Sequence, residues 1–474
     1  MTPISRRQFL RAGTAAAATF ALGRFTDPAA ALVPAPPEVP AGPRPPQDPS
    51  VAVLHPRGRV PLSFIIDDST CLVNMGAYCM PQFNAAWPQN PVYWRKWKEW
   101  PREIPDAFVR EFGEWCGEQG VRGKYSIVPM PACVGWLDRE LPGWSRKELK
   151  ESLQLVRELM VPRWDITPEM ITHTRVIDLK TGRPVEPSSP ATMENSYPPE
   201  KKSADELAEY IATALRVLKN CELPADAVTT PGGFGNKCKA ELSVAMRQAI
   251  LDVSPGTDVP HYFKYIAEGD ESTRPRIEGV EGLGTDSLRF TANVPAGCGD
   301  WFGNWDGDRP PQGDKYATAD ASAGRMPELI DRGEPAVMFC HWAGLYGNGT
   351  KAGFEQCKRV ITAINTKYRD RTVWMKTSEL ARYEAARQLT TIARAGGKVT
   401  LTAPVACPAY TLKLAARPGT GPAGQPAVTV DGKRLPLEAA KDLVALKPGT
   451  WLRERDGATV VCLDLGKGTT VVEA

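Results

Sequence analysis

Two adjacent aspartates, Asp67 and Asp68, close an otherwise apolar run in 62-LSFIIDDSTCLVN-74. The chain has 474 residues and only four histidines, and two of these sit in comparable places: His173 in 168-PEMITHT-174 and His341 in 335-PAVMFCHWAG-344. A carboxylate with an imidazole suits a divalent transition metal. A second carboxylate beside them has the chemistry of a general base acting on a water that such a metal activates. A Pro-Gly turn, Pro231-Gly232, follows another strand candidate in 226-DAVTTPGGFGN-236. Trp301 and Trp305 lie among acidic residues in 300-DWFGNWDGD-308, which reads either as a sugar platform, since aromatic faces stack on the apolar face of a sugar, or as a packed loop. A second Trp-rich stretch, 87-WPQNPVYWRKWKEW-100, is a candidate cleft wall. His55 reads as structural, and His261 in 259-VPHYF-263 is undecided between a structural and a functional role.

The elements that must position these residues alternate between strand and helix. Strands are expected at 62-LSFII-66, 122-RGKYSIVP-129, 168-PEMITHT-174, up to 226-DAVTTPGGFGN-236, 335-PAVMFCHWAG-344 and 371-RTVWMK-376. Between them, Phe108, Phe112 and Trp115 recur at helical spacing in 105–120, with Gly120 as the stop. Ser145 caps a helix over 145–160, and Ser203 with Glu206 forms a capping box for a helix over 203–221. Further helices are expected over 353–368 and 377–388. Alternation with polar groups at the strand ends describes a (β/α) barrel or a doubly wound sheet, and in a barrel those ends converge on one mouth. After about residue 390 the pattern becomes short alternating strands with Gly/Pro turns, which predicts a small C-terminal all-β, sandwich-like domain over 395–474.

The N-terminus, 5-SRRQFLRAGTAAAATFALG-23, places Arg6 and Arg7 before Phe9, Leu10 and a small-residue apolar segment, with 29-AAA-31 as a cleavage site. Residues 1–31 therefore read as a twin-arginine signal, and the expected location is periplasmic or extracellular. Residues 32–50 are Pro-rich and read as an extended linker, so the α/β domain is expected over 51–388. No later apolar run approaches the ~18 residues of a membrane span. With 58 Lys+Arg against 55 Asp+Glu, no electrostatic case exists for a nucleic-acid partner. Eleven cysteines without a CxxC pattern leave open either disulfides, with Cys71–Cys79 and Cys221–Cys238 as candidate pairs, or buried free thiols.

Taken in order, these stretches resemble the polysaccharide deacetylase family (carbohydrate esterase family 4). FIIDDS is similar to its first motif, 169-EMITHT-174 to its second, 229-TTPGGFGN-236 to its third, and 337-VMFCHWAG-344 to its final apolar strand with histidine. The resemblance covers roughly residues 60 to 385. It implies a distorted (β/α) barrel of the glycoside hydrolase/deacetylase type and metal-assisted removal of acetyl groups from a polysaccharide or oligosaccharide. It further implies Asp67 as base, Asp68 and His173 as ligands of Zn, Co or Mn, and His341 as general acid, with Pro231, Gly232, Trp301 and Trp305 towards the substrate. Two positions depart from the family pattern. Ile177 stands where a second ligand histidine is expected, with Asp178 on the opposite strand face, and Thr229 stands where an arginine is expected. A glycoside hydrolase on the same scaffold and a non-catalytic carbohydrate-binding protein are the alternative readings.

Overall fold

The structure is a computed structural model and describes residues 41–416, 425–430 and 432–473. The twin-arginine segment, its cleavage site and residues 32–40 lie outside the described residues. In chain order the strands are β1 Val51–Val53, β2 Val60–Asp67, β3 Gly123–Ile127, β4 Trp164–Pro168, β5 Ile177–Asp178, β6 Arg183–Pro184, β7 Ala227–Thr229, β8 His261–Phe263, β9 Arg276–Glu281, β10 Arg289–Asn293, β11 Ala336–His341 and β12 Thr372–Trp374. They continue with β13 Thr391–Ala395, β14 Lys398–Ala403, β15 Cys407–Leu414, β16 Ala427–Val430, β17 Lys433–Pro436, β18 Glu438–Ala439, β19 Thr450–Arg453, β20 Thr459–Leu465 and β21 Gly468–Glu473.

Parallel strands in the order β11-β2-β3-β4, with β12 also against β2, form the sheet that carries the site. All eight residues of β2 are buried, as expected where a parallel strand is covered on both faces. Gly123 on β3 lies so close to β2 that a Cβ there would fall 1.9 Å from the Phe64 carbonyl oxygen, which only glycine avoids. A second sheet runs β7-β8-β10-β9, with only β9 antiparallel to its neighbour. The two sheets meet at a parallel bridge between Glu169 and Thr229, and the Gly297 N–H donates to the Val337 carbonyl at 2.8 Å. The result is a mixed α/β arrangement in which the two sheets are linked through these contacts.

The helices follow the sequence closely. Asp106–Glu118 buries Phe108 and Phe112. Arg146–Leu155 and Ala204–Asn220 both open on capping boxes, Ser145 with Glu148 and Ser203 with Glu206. The expected strand at 168–174 is a difference. β4 stops at Pro168, and Met170 (φ 51°) and His173 (φ 64°) adopt left-handed backbone that a strand excludes. Their segment wraps instead around the buried Glu194 carboxylate.

The C-terminal strands form two five-stranded sheets, β13-β14-β21-β16-β17 and β1-β15-β20-β19-β18. Val51–Val53, expected to open the α/β domain, instead pairs with Leu412–Leu414 of β15. Residues 41–50 are not an extended linker. The Asp48 N–H donates to Ile392 O at 2.9 Å, the Ile392 N–H to Pro46 O at 3.1 Å, and Arg44 Nη2 to Ile277 O at 2.7 Å. All eleven cysteines are unpaired, so neither Cys71–Cys79 nor Cys221–Cys238 is bridged. Among the described residues no helix is long and apolar enough to cross a membrane.

Candidate active site

Parallel pairing places His341, the last residue of β11, directly beside Asp67, the last residue of β2. Two strand tips thus carry the expected acid and base side by side. Asp67 is held from the other flank by Lys124 on β3, whose ammonium makes a buried ion pair with Asp67 Oδ1. The same ammonium donates to Thr229 Oγ1 at 2.7 Å, and Thr229 shares a 2.9 Å hydroxyl contact with Thr167. Lys124 reaches this point because its side chain leaves β3 on the same face as Ile65, its register partner, and hence as Asp67 two residues further along. Burial pushes the Asp67 carboxyl above its ordinary value, against the opposing pull of Lys124 and then His341.

Asp68 begins a turn with φ 57° that swings its side chain away from that of Asp67. Its Oδ1 accepts no hydrogen bond and lies 2.9 Å from His173 Nε2. Glu169 Oε1 lies 3.4 Å from the same nitrogen. The other oxygen, Oε2, accepts from the Asp68 N–H at 2.8 Å and the Ser126 hydroxyl at 2.7 Å. One donor atom from each of Asp68, Glu169 and His173 lies within 4.8 Å of the other two. Burial opposes the Asp68 charge, but His173, His341 and Lys124 more than offset it, so this carboxyl is held below its ordinary value. Burial and the charges of Asp67 and Asp68 lift Glu169 to about 7. Burial works against a charged His173, yet Asp68 above all raises it well above the usual histidine value.

The donor set fits a divalent cation. Two carboxylate oxygens and an imidazole nitrogen converge, and one of those oxygens is buried without a hydrogen-bond donor. The loop that presents His173 is built on Glu194. That carboxylate accepts from the backbone N–H groups of Ile171 (3.1 Å), Thr172 (3.0 Å) and His173 (2.6 Å) and from the Tyr210 hydroxyl (2.5 Å). A carboxyl inside a ring of backbone and hydroxyl donors holds the left-handed turns that aim the imidazole at Asp68, while burial, opposed by those donors, lifts it to about 7.

His341 is oriented by Asp300, whose Oδ2 accepts from the His341 backbone N–H at 3.1 Å and contacts Nδ1 at 2.8 Å. Burial disfavours the charged ring, but the Asp300 hydrogen bond and the charges of Asp68, Asp300 and Asp67 outweigh it and raise the histidine to about 9. It is therefore an imidazolium at neutral pH, with Nδ1–H committed to Asp300.

No protein-family profile matches the chain, and no curated protein matches it significantly. It is similar to a solved structure described as a candidate polysaccharide deacetylase from Mycobacterium smegmatis, at 11% identity over 75% of this chain and 99% of that one, with a TM-score of 0.36. It is also similar to a candidate glycoside hydrolase/deacetylase from Parabacteroides distasonis, at 11% identity over 76% and 81% of the two chains and a TM-score of 0.36. A CE4 family pseudoenzyme from Bacillus anthracis matches at 10% identity over 70% and 68%, with a TM-score of 0.29. At this level of likeness the residues themselves carry the chemistry.

The structure gathers Asp67, Asp68, His173 and His341 at one end of the parallel strands, each between 2% and 7% exposed. Pro231 is buried beyond the end of β7, and Gly232 turns there with φ 40°. This loop is pinned where the buried Lys264 ammonium donates to Phe234 O. Trp301 follows Asp300 and is half-buried, edge-on to Tyr316 at 5.0 Å. Trp305 offers no face to a sugar: it is buried against Phe83 at 5.4 Å and Tyr93 at 6.2 Å, and Phe83 in turn packs edge-on to the His173 ring. Ile177 lies in the apolar cluster beneath helix Ala204–Asn220, and Asp178 is exposed at the end of β5, where its carboxylate accepts from the Lys180 N–H. The third donor is therefore Glu169, four residues before His173, rather than anything four residues after it. Thr229, found where an arginine is expected, is the hydroxyl that Lys124 joins to Asp67. No pattern in the sequence marks Lys124, Asp300 or Glu194. Glu169 had a signal, an acidic residue spaced i,i+4 from His173, whereas Lys124 depends on strand register and Glu194 on a loop closure.

Proposed function

We propose that this chain hydrolyses an acyl group, most simply an acetyl, from a polysaccharide or oligosaccharide, with a divalent metal ion held by Asp68, Glu169 and His173. The observation that carries this reading is the register of β2 and β11, which sets a carboxylate base and an oriented imidazolium side by side next to a buried three-donor group. When bound, the ion supplies Lewis-acid polarisation of the acyl carbonyl and of the attacking water.

The chain's own residues do the rest. Asp67 accepts the proton of the attacking water at its carboxylate. Lys124 fixes which way that carboxylate faces and favours its charged form, while Thr229 and Thr167 fix Lys124. His341 is already protonated at neutral pH and donates to the departing nitrogen or oxygen, with Asp300 holding the ring through Nδ1. We further propose that the mature protein works outside the cytoplasm, after export by the twin-arginine route that Arg6 and Arg7 would direct.

The test is acetate release from acetylated polysaccharides by the purified protein with Mn²⁺, Co²⁺ or Zn²⁺, compared with Asp67→Asn and His341→Gln. The expected result is metal-stimulated release that falls about 10²–10⁴-fold in either variant. Equal traces from wild type and Asp67→Asn would sink the proposal, and new reducing ends without acetate would assign a glycosidase instead.

A further inference from the structure

We infer that Glu169 makes this a site for a hard, oxygen-preferring divalent cation of the Mn²⁺ class, with a narrower preference for Zn²⁺ over Mn²⁺ than a site with histidine at that position. The inference rests on the metal-dependent reading above and deepens it by naming the class of ion.

The donors are two carboxylate oxygens and one imidazole nitrogen: Asp68 Oδ1, Glu169 Oε1 and His173 Nε2. Carboxylates suit Mg²⁺ and Mn²⁺, whereas imidazoles suit Zn²⁺, Cu²⁺ and Ni²⁺. Raw affinity still rises from Mn²⁺ towards Zn²⁺ whatever the donors, so the donor set acts on the ratio between the two ions and not on their order.

Glu169 is committed to this position by its other oxygen. Oε2 accepts from the Asp68 backbone N–H at 2.8 Å and from the Ser126 hydroxyl at 2.7 Å, which leaves Oε1 as the atom facing His173 at 3.4 Å. The Asp68 contact also ties Glu169 to the left-handed turn that aims its fellow ligand. Lys124, the ammonium in this cluster, makes its ion pair with Asp67. Glu169 is thus presented as a one-oxygen donor already braced at its back.

The experiment uses the full chain, stripped with a chelator, as wild type, Glu169→His, Glu169→Gln and Glu169→Asp. Mn²⁺ binding is read from loss of the free-ion electron paramagnetic resonance signal, and Zn²⁺ binding by competition with a chromophoric chelator. Wild type should take up one Mn²⁺ per chain, and Glu169→His should widen the Zn²⁺:Mn²⁺ affinity ratio by at least about tenfold. Glu169→Gln should weaken Mn²⁺ by at least about 10–100-fold, the loss already seen when only the outer partners of a metal ligand are removed. Should the amide variant fail to fold, Glu169→Asp keeps the charge but shortens the reach, and it should bind Mn²⁺ more weakly than wild type.

An unchanged ratio in Glu169→His, or wild-type Mn²⁺ affinity in a folded Glu169→Gln or Glu169→Asp, would overturn the inference. A wild-type chain that binds neither ion would overturn both this inference and the metal-dependent reading. Mn²⁺ held through Glu169 without acetate release would uphold the inference and overturn the deacetylation alone.

Discussion

At the N-terminal ends of the parallel strands, the half-buried Asp165 on β4 and Asp226 before β7 gather with the buried His261 on β8 in an acid–imidazole cluster. At the opposite ends, Asp67, Asp68, Glu169, His173 and His341 form another. Residue types are nearly the same, but the donors around the carboxylates differ. Asp165 accepts from the Thr377 hydroxyl at 2.8 Å, the Ser378 N–H at 2.6 Å and the Ser378 hydroxyl at 2.8 Å, with His261 only at 3.9 Å. It caps helix Thr377–Leu389 from a neighbouring strand, a structural use of charge. Asp68 Oδ1, by contrast, is faced only by the His173 imidazole, at 2.9 Å. A buried carboxylate filled by protein donors holds the fold together, and one left with free lone pairs among its own kind is arranged for a cation or a reaction.

The largest expected effect separates the two ends at Lys124. Lys124→Met leaves Asp67 buried without its cation and should cost about 3–5 kcal/mol in denaturant unfolding. Deacetylation should also fall by more than the loss of folded protein explains, and activity surviving in proportion to folded protein would reduce Lys124 to a structural ion pair.

Next in size is the pH dependence of the His341–Asp300 pair. The folded value of about 9 lies above the ordinary 6.5, so the charged form is favoured by folding. That stability is complete below about pH 6.5 and is lost as pH rises through about 9. Asp300→Asn should therefore cost about 2 kcal/mol at pH 6 and much less at pH 10, and should move the alkaline limb of kcat/KM downward by about a pH unit. A limb that stays in place would remove His341 from the acid role.

Asp165→Asn, at the opposite end, should cost about 2 kcal/mol by weakening three hydrogen bonds to a charged acceptor, while activity per folded molecule and metal uptake stay as in wild type. Altered metal uptake in this variant would break the contrast between the two ends. An effect of comparable size is expected at Glu194, where Glu194→Gln turns an acceptor oxygen of the backbone ring into an amide donor. A loss of about 1–3 kcal/mol is expected, together with weaker metal binding from a loosened His173. Weaker binding without any stability loss would mean that Glu194 acts on the ion rather than on the loop.

Much of this was legible in order and type. The apolar strand tipped by Asp67-Asp68, the capped helices at Ser145 and Ser203, the strand ending at His341 and the sandwich strands after residue 390 all appear close to where alternation, periodicity and capping chemistry place them. What failed to read correctly was non-local. Met170 and His173 look like strand residues by type, yet Glu194, about twenty residues on, captures the backbone donors of Ile171, Thr172 and His173. Val51–Val53 looks like the start of the α/β domain until it finds its partners in β15, more than 350 residues later. Trp305 looks like a sugar platform until its ring is packed beneath the site.

By itself, then, the sequence determined which chemical groups sit at the strand tips, because a strand's side chains alternate and its end is marked by where the apolar run stops. Only the tertiary structure decided that Glu169 rather than a residue near Ile177 completes the donor set, that Lys124 guards Asp67, and that Asp300 steers His341. Each of those pairings depends on strand register or loop closure between distant segments. The free energy that selects them comes from satisfying buried charge, which no local pattern of residues records.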